Sequence, residues 1–206
     1  TYTDYIGVKV FDEEGKLVGE RRFIGLYTST AYSSSPRQIP FLRHKVDKIL
    51  EDLGYPPMSH DGKEAAHILE TLPRDDLLQA SVEELLDLTK NIIQLKERKR
   101  VRLLVRRDAF YRYFSCLVYV PRDIFTTNLA LSIRDILMDA FKGQECTYTT
   151  YFSDSVLARI HYLIRVHPKT PLETTVEALE KQLIAVTRSW TDELKDQLVK
   201  HFGEAD

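Results

Sequence analysis

The sequence predicts an α+β chain: a terminal β-hairpin, a helical connector, then a mixed domain in the order strand-strand-helix-strand-strand-helix with a long C-terminal helix. Three observations point there. Apolar residues alternate with a period of two at the start of the chain and again beyond residue 99. Between those stretches, apolar residues recur at helical spacing, punctuated by capping signals. A last helical stripe, Leu172 to Phe202, is longer than one small sheet can cover. The expected segments are residues 1–34, 35–98 and 99–206.

The hairpin is read from Ile6, Val8 and Val10 alternating with Gly7 and Lys9, a turn at Asp12–Lys16, and a return strand through Leu17, Val18, Phe23, Ile24 and Leu26. Gly15 can take the positive φ that the turn requires. A lone two-stranded hairpin is marginal in water, so it is expected to pack on sequence that precedes it. Ser33-Ser34-Ser35-Pro36 reads as a linker into a helix, with Ser35 as N-cap and Pro36 at the first helical position. That helix carries Ile39, Leu42, Val46, Ile49, Leu50 and Leu53 and stops at Gly54. Ser59 opens a second helix that Pro73 ends, and Ser81-Val82-Glu83-Glu84 is a capping box for a third.

Beyond residue 99, Val101, Leu103 and Val105 alternate with Arg102 and Arg106 in a first strand, whose arginines are expected to face solvent. Phe114, Cys116, Val118 and Val120 form the next, ended by Pro121. Thr126 or Thr127 caps a helix closed by Gly143, and strands at Cys146–Phe152 and Ala158–Val166 follow. Thr170-Pro171-Leu172-Glu173 reads as the start of the last helix. One sheet with both helices on one face buries these stripes most simply.

Composition narrows the function classes. The formal net charge of −2 offers no electrostatic case for nucleic acid or an anionic membrane as partner. Cys116 and Cys146 are too few for a disulfide framework and read as buried thiols of a cytoplasmic protein. No apolar run approaches the roughly 20 residues of a membrane-spanning helix. The chain opens on Thr1 without signal-peptide character, as expected of a piece of a longer polypeptide.

Chemistry-bearing patterns are missing from the sequence. The eight glycines form neither GxGxxG nor GxxxxGK[ST], so no dinucleotide or phosphate cradle is expected. The six histidines make no HxH, HExxH or Cys/His cluster, and His60 with His67 lacks the further ligands a zinc site needs. Ser59-His60-Asp61 cannot be a triad, because adjacent residues do not reach triad geometry; Ser59 or Asp61 is expected to cap a helix. The basic run Lys96, Arg98, Lys99, Arg100, Arg102, Arg106 and Arg107 suits a helix C-terminus and a solvent-facing strand, or a surface for an acidic partner or carboxylate.

The strings RRFIGLYTSTAYSSSPRQIPFLRHKV, SHDGKEAAHILETLPRDDLL, VRLLVRRDAF, SCLVYVPRD and TRSWTDEL resemble the long N-terminal, non-catalytic half of the large bacterial NAD-specific glutamate dehydrogenases. The resemblance runs from Asp4 to Trp190. It implies a regulatory or assembly segment of an oxidoreductase of amino-acid catabolism, with NAD as cofactor of the parent and none in this segment. The first hairpin would close a preceding sensory-like domain. Residues 99–206 resemble an ACT-type, ferredoxin-like module with permuted element order. Such modules hold small ligands in loops like Pro121-Arg122-Asp123, so Arg107, Arg122 and Asp123 are candidates for an amino-acid effector. Trp190, Leu194 and Leu198 are candidates for contact with other domains or subunits of a homo-oligomer.

Overall fold

In a computed structural model of the chain, residues 3–95, 100–153, 155–169 and 174–188 are described. The chain divides into two compact units, Thr1–Lys48 and Ile49–Asp206.

In the first unit, β1 (Asp4–Phe11) and β2 (Leu17–Gly25) form an antiparallel hairpin. Asp12 builds the turn: its Oδ1 accepts from the amides of Glu14 (3.1 Å) and Lys16 (2.8 Å), and Gly15 takes φ 78°. Pairing places Ile6 opposite Phe23 and Val8 opposite Arg21 on one face, with Val10 further along it. Ile6, Val8 and Phe23 are exposed. On the other face the Tyr5 hydroxyl donates to Glu20, which also pairs with Arg22. Two short pieces follow, α1 (Ser29–Ser33) and a single 3-10 turn (Pro36–Gln38). The linker reading of Ser33–Pro36 is thus revised: Ser35 caps only the 3-10 turn, accepting from the Arg37 amide. The second proline, Pro40, holds Ile39 extended and delays α2 (Pro40–Leu53) to its own position.

The second unit contains α3 (His60–Thr71), α4 (Arg74–Gln79) and α5 (Val82–Leu95). Ser59 Oγ caps α3 by accepting from the Gly62 amide at 3.0 Å. A Cβ on Gly62 would stand 2.2 Å from the Pro56 carbonyl oxygen, so the close approach there demands glycine. The capping box of α5 forms in both directions, Glu84 N–H to Ser81 Oγ and Ser81 N–H to Glu84 Oε2.

The sheet comprises β3 (Arg102–Arg107), β4 (Tyr113–Pro121), β5 (Glu145–Phe152) and β6 (Leu157–Arg165) in the order β3-β4-β6-β5, every neighbour antiparallel. With α6 (Thr127–Ala140) and α7 (Val176–Thr187), this is the ferredoxin-like arrangement with its last strand moved to the front. Thr126 caps α6 and Thr175 caps α7. Lys142, at φ 51°, makes a left-handed turn after α6, directly before Gly143.

Both α6 and α7 cover one face. Their Ala130, Ile133, Leu137, Leu179 and Leu183 meet Leu103, Phe114, Cys116, Val118, Ile160, Tyr162 and Ile164 in a buried core, where Phe114 stacks on Phe141 at 4.3 Å. Thr170–Glu173, read as the start of the last helix, lie outside the described residues; α7 itself starts at Val176. Arg188 is extended, so α7 ends at Thr187.

The opposite face corrects the solvent-facing reading of the β3 arginines. On β4, Ser115, Leu117 and Tyr119 are as buried as the residues between them. Helices α3–α5 lie against this face through side chains of α4 and the end of α3, giving three layers: helices, sheet, helices. Arg102 is paired with Glu180 of α7, and Arg106 reaches α4. Among the described residues no helix is long and apolar enough to cross a membrane.

Candidate functional site

Among the described residues, a connected grouping of ionisable side chains lies where α4 meets the sheet. α4 is one and a half turns that start after Pro73, with Asp75 and Asp76 in its first turn, where a helix favours negative charge. Leu77 is fully buried, which anchors α4 and leaves Asp76 only 3% exposed, over β3 and β4. Arg106 on β3 points to the same face and donates from Nε (3.1 Å) and Nη2 (2.5 Å) to Asp76 Oδ1. Ser115 on β4, 2% exposed, places Oγ 2.7 Å from Asp76 Oδ2 and 2.9 Å from His161 Nε2 on β6. The His161 nitrogen itself is 3.8 Å from Asp76 Oδ2.

Two further bonds extend the seam. Gln79 Oε1 accepts from the Tyr113 hydroxyl at 2.6 Å and from Arg106 at 3.3 Å. Arg159 on β6 donates to the Thr71 carbonyl at the end of α3 and lies over the Tyr151 ring at 4.5 Å. Residues from three strands thus hold two helices by charge-assisted hydrogen bonds.

Burial governs the titration of this seam. It pushes the His161 pKa below its ordinary value, helped by the guanidinium groups of Arg159 and Arg106 and opposed by Asp76 and Asp75. Tyr113 is pushed up to about 12 by burial and by Asp108. Cys116, fully buried, and Cys146 are both raised by burial, which keeps them as thiols. Both cysteines are free.

The grouping has the residue types of a hydrolytic triad in the wrong order. Here the serine sits between acid and histidine, so no base is poised to deprotonate a nucleophile whose proton already goes to the acid. Its chemistry is that of a fastener. Among the described residues no three of His, Cys, Asp and Glu converge as a metal site.

The residues singled out from the sequence fall elsewhere. Arg107 lies over the Tyr111 and Phe114 rings, at 4.6 and 5.1 Å, and donates to the Pro168 carbonyl. Arg122 donates to the Ser153 carbonyl at 3.2 Å and lies over Phe152, while Asp123 is exposed in the following turn. Arg107 pairs with Phe114 and Arg122 follows the far end of β4, so they stand roughly 25 Å apart along the strand. The structure does not bring them together. Trp190, Leu194 and Leu198 lie outside the described residues. Asp76, Ser115, Arg159 and His161 were missed. The readable signal was the run Tyr113–Pro121, free of charge on both of its faces, which marks a strand covered twice.

Comparison with known proteins sorts these layers. Residues 39–98 match the family described as "Glutamate dehydrogenase, helical motif 1", and residues 102–191 match "Glutamate dehydrogenase, ACT2 domain". An NAD-specific glutamate dehydrogenase of Halomonas elongata is 41% identical over 204 residues, and one of Pseudomonas aeruginosa 40% over the same length. The chain belongs to the large NAD-specific glutamate dehydrogenase family. A third relative of the same name, from Mycobacterium tuberculosis, is 28% identical over 193 residues. The alignments cover 99%, 99% and 88% of this chain, but only 13%, 13% and 12% of the relatives. The Asp76 network therefore joins the segment matched as helical motif 1 to the segment matched as the ACT2 domain.

Proposed function

We propose that the chain is a non-catalytic regulatory or assembly segment of an NAD-dependent glutamate dehydrogenase acting in the cytoplasm. The parent reaction is oxidation of L-glutamate with NAD and water to 2-oxoglutarate, ammonium and NADH. The observation that carries this reading is that the chain matches a helical motif and an ACT2 domain that together occupy a small share of relatives named for that activity. The pairing of Asp76 with Arg106 and Ser115 supports it, since the polar groups of this cluster are engaged with one another rather than poised for chemistry.

In this reading the partners are other domains and subunits of the same homo-oligomeric enzyme. Residues 1–34 complete a preceding sensory-like domain, supported by the exposed apolar face of Ile6, Val8 and Phe23. Residues 35–98 act as connector and residues 99–206 as the ACT-like domain. Trp190, Leu194 and Leu198 supply a contact between subunits or domains. An amino-acid effector at Arg107 or at Arg122–Asp123 is the second reading, and the separation of those residues disfavours one shared site.

Glutamate-dependent NADH formation tests the proposal when the chain and the full-length parent are assayed side by side. Activity in the parent alone is expected; turnover by the 206-residue chain overturns the non-catalytic reading.

A further inference from the structure

We infer that the Asp76–Ser115–His161 cluster is a proton-controlled latch, which holds helices α3–α5 on the sheet while His161 is neutral and loosens them when it is protonated. The inference concerns the seam inside the second unit and goes beyond the proposed role of the chain.

Proton counting fixes the closed state. The Asp76 carboxylate only accepts, and its Oδ1 is taken by two N–H groups of Arg106. Its Oδ2 takes the single proton of Ser115 at 2.7 Å. Ser115 Oγ has then no proton left for His161, so the imidazole must donate to it from Nε2 at 2.9 Å. A neutral ring has one N–H, so His161 is the Nε2–H tautomer and Nδ1 is the atom that titrates.

A second proton there would charge a ring that burial keeps neutral. From α4 the ring faces Asp75 and Asp76; from β3, Arg106; on its own strand, Arg159. The Asp76 charge is already matched by Arg106. The cross-strand neighbours of His161, Leu117 on β4 and Thr149 on β5, carry no charge. Burial and two guanidinium groups therefore penalise the imidazolium in the closed seam, whereas an opened seam lets the ring titrate near its ordinary 6.5. The open form then binds more protons than the closed one. Closure is fully favoured above pH 6.5 and is lost progressively as pH falls below it.

The test is hydrogen exchange of the full chain at pH 7.5 and 5.5, corrected for intrinsic rates, with peptides covering α4. In the wild type, protection of α4 should fall by a factor approaching about ten between the two values, the limit set by a group of pKa 6.5 titrating only in the open form. His161→Gln keeps an Nε2 donor for Ser115 without a titrating ring, and its protection should be flat. Equal protection of the wild type at both pH values, or the same fall in the variant, overturns the latch. Nitrogen NMR of wild-type His161 gives a second arm that needs no variant: the Nε2–H tautomer and a midpoint below 6.5 are expected. An Nδ1–H tautomer contradicts the inference.

Discussion

On one face of the β3–β6 sheet, Phe114, Cys116, Val118, Ile160 and Ile164 meet α6 and α7 through apolar contact, and the Tyr162 hydroxyl is satisfied by the Ala130 carbonyl. On the other face, Arg106, Ser115, Arg159 and His161 meet α3 and α4 through hydrogen bonds to Asp76 and the Thr71 carbonyl. The second layer thus adds a polar seam to the apolar burial of Leu117 and Tyr119, where the first relies on apolar contact. Apolar burial is insensitive to pH and tolerant of small shifts. A buried polar seam is directional, and leaving any member unpaired costs the desolvation of that member. The difference gives the layer within the ACT2 match an apolar fastening and the joint with helical motif 1 a directional polar seam.

Two substitutions should separate the faces. Phe141→Ala removes the ring stacked on Phe114 from a fully buried position, and urea unfolding should show a loss of about 4 kcal/mol. Its effect should be the same at pH 5.5 and 7.5; a strong pH dependence would blur the contrast between the faces. Ser115→Ala leaves Asp76 Oδ2 and His161 Nε2 without their short partner, and the loss should be smaller, about 2 kcal/mol at pH 7.5. A neutral result would mean that the seam is not held by that hydroxyl.

Much of the sheet was legible because its apolar face writes a clean period of two. Leu103, Cys116, Val118, Ile160 and Ile164 all announce themselves by alternation. The second face was not, because its partners are encoded far away: Asp76 lies 39 residues from Ser115 and 30 from Arg106. Neither Arg102 nor Arg106 carries a local sign that it will be paired rather than solvated. Helix α4 is only Arg74–Gln79, too short for a period to show, so its aspartate reads as loop charge. The caps at Ser59, Ser81 and Thr126 were readable because each is a contact over three residues. The cluster on the second face required the topology first.

The most direct test of the account is a double-mutant cycle between Asp76→Ala and Arg106→Ala, followed by chemical unfolding of the full chain at pH 7.5. If the seam is a connected network, the pair should couple by on the order of 1 to 3 kcal/mol, with each single change costing about 3 kcal/mol or more. Effects that add within about 0.5 kcal/mol would contradict the claim that this ion pair fastens the helical layer to the sheet.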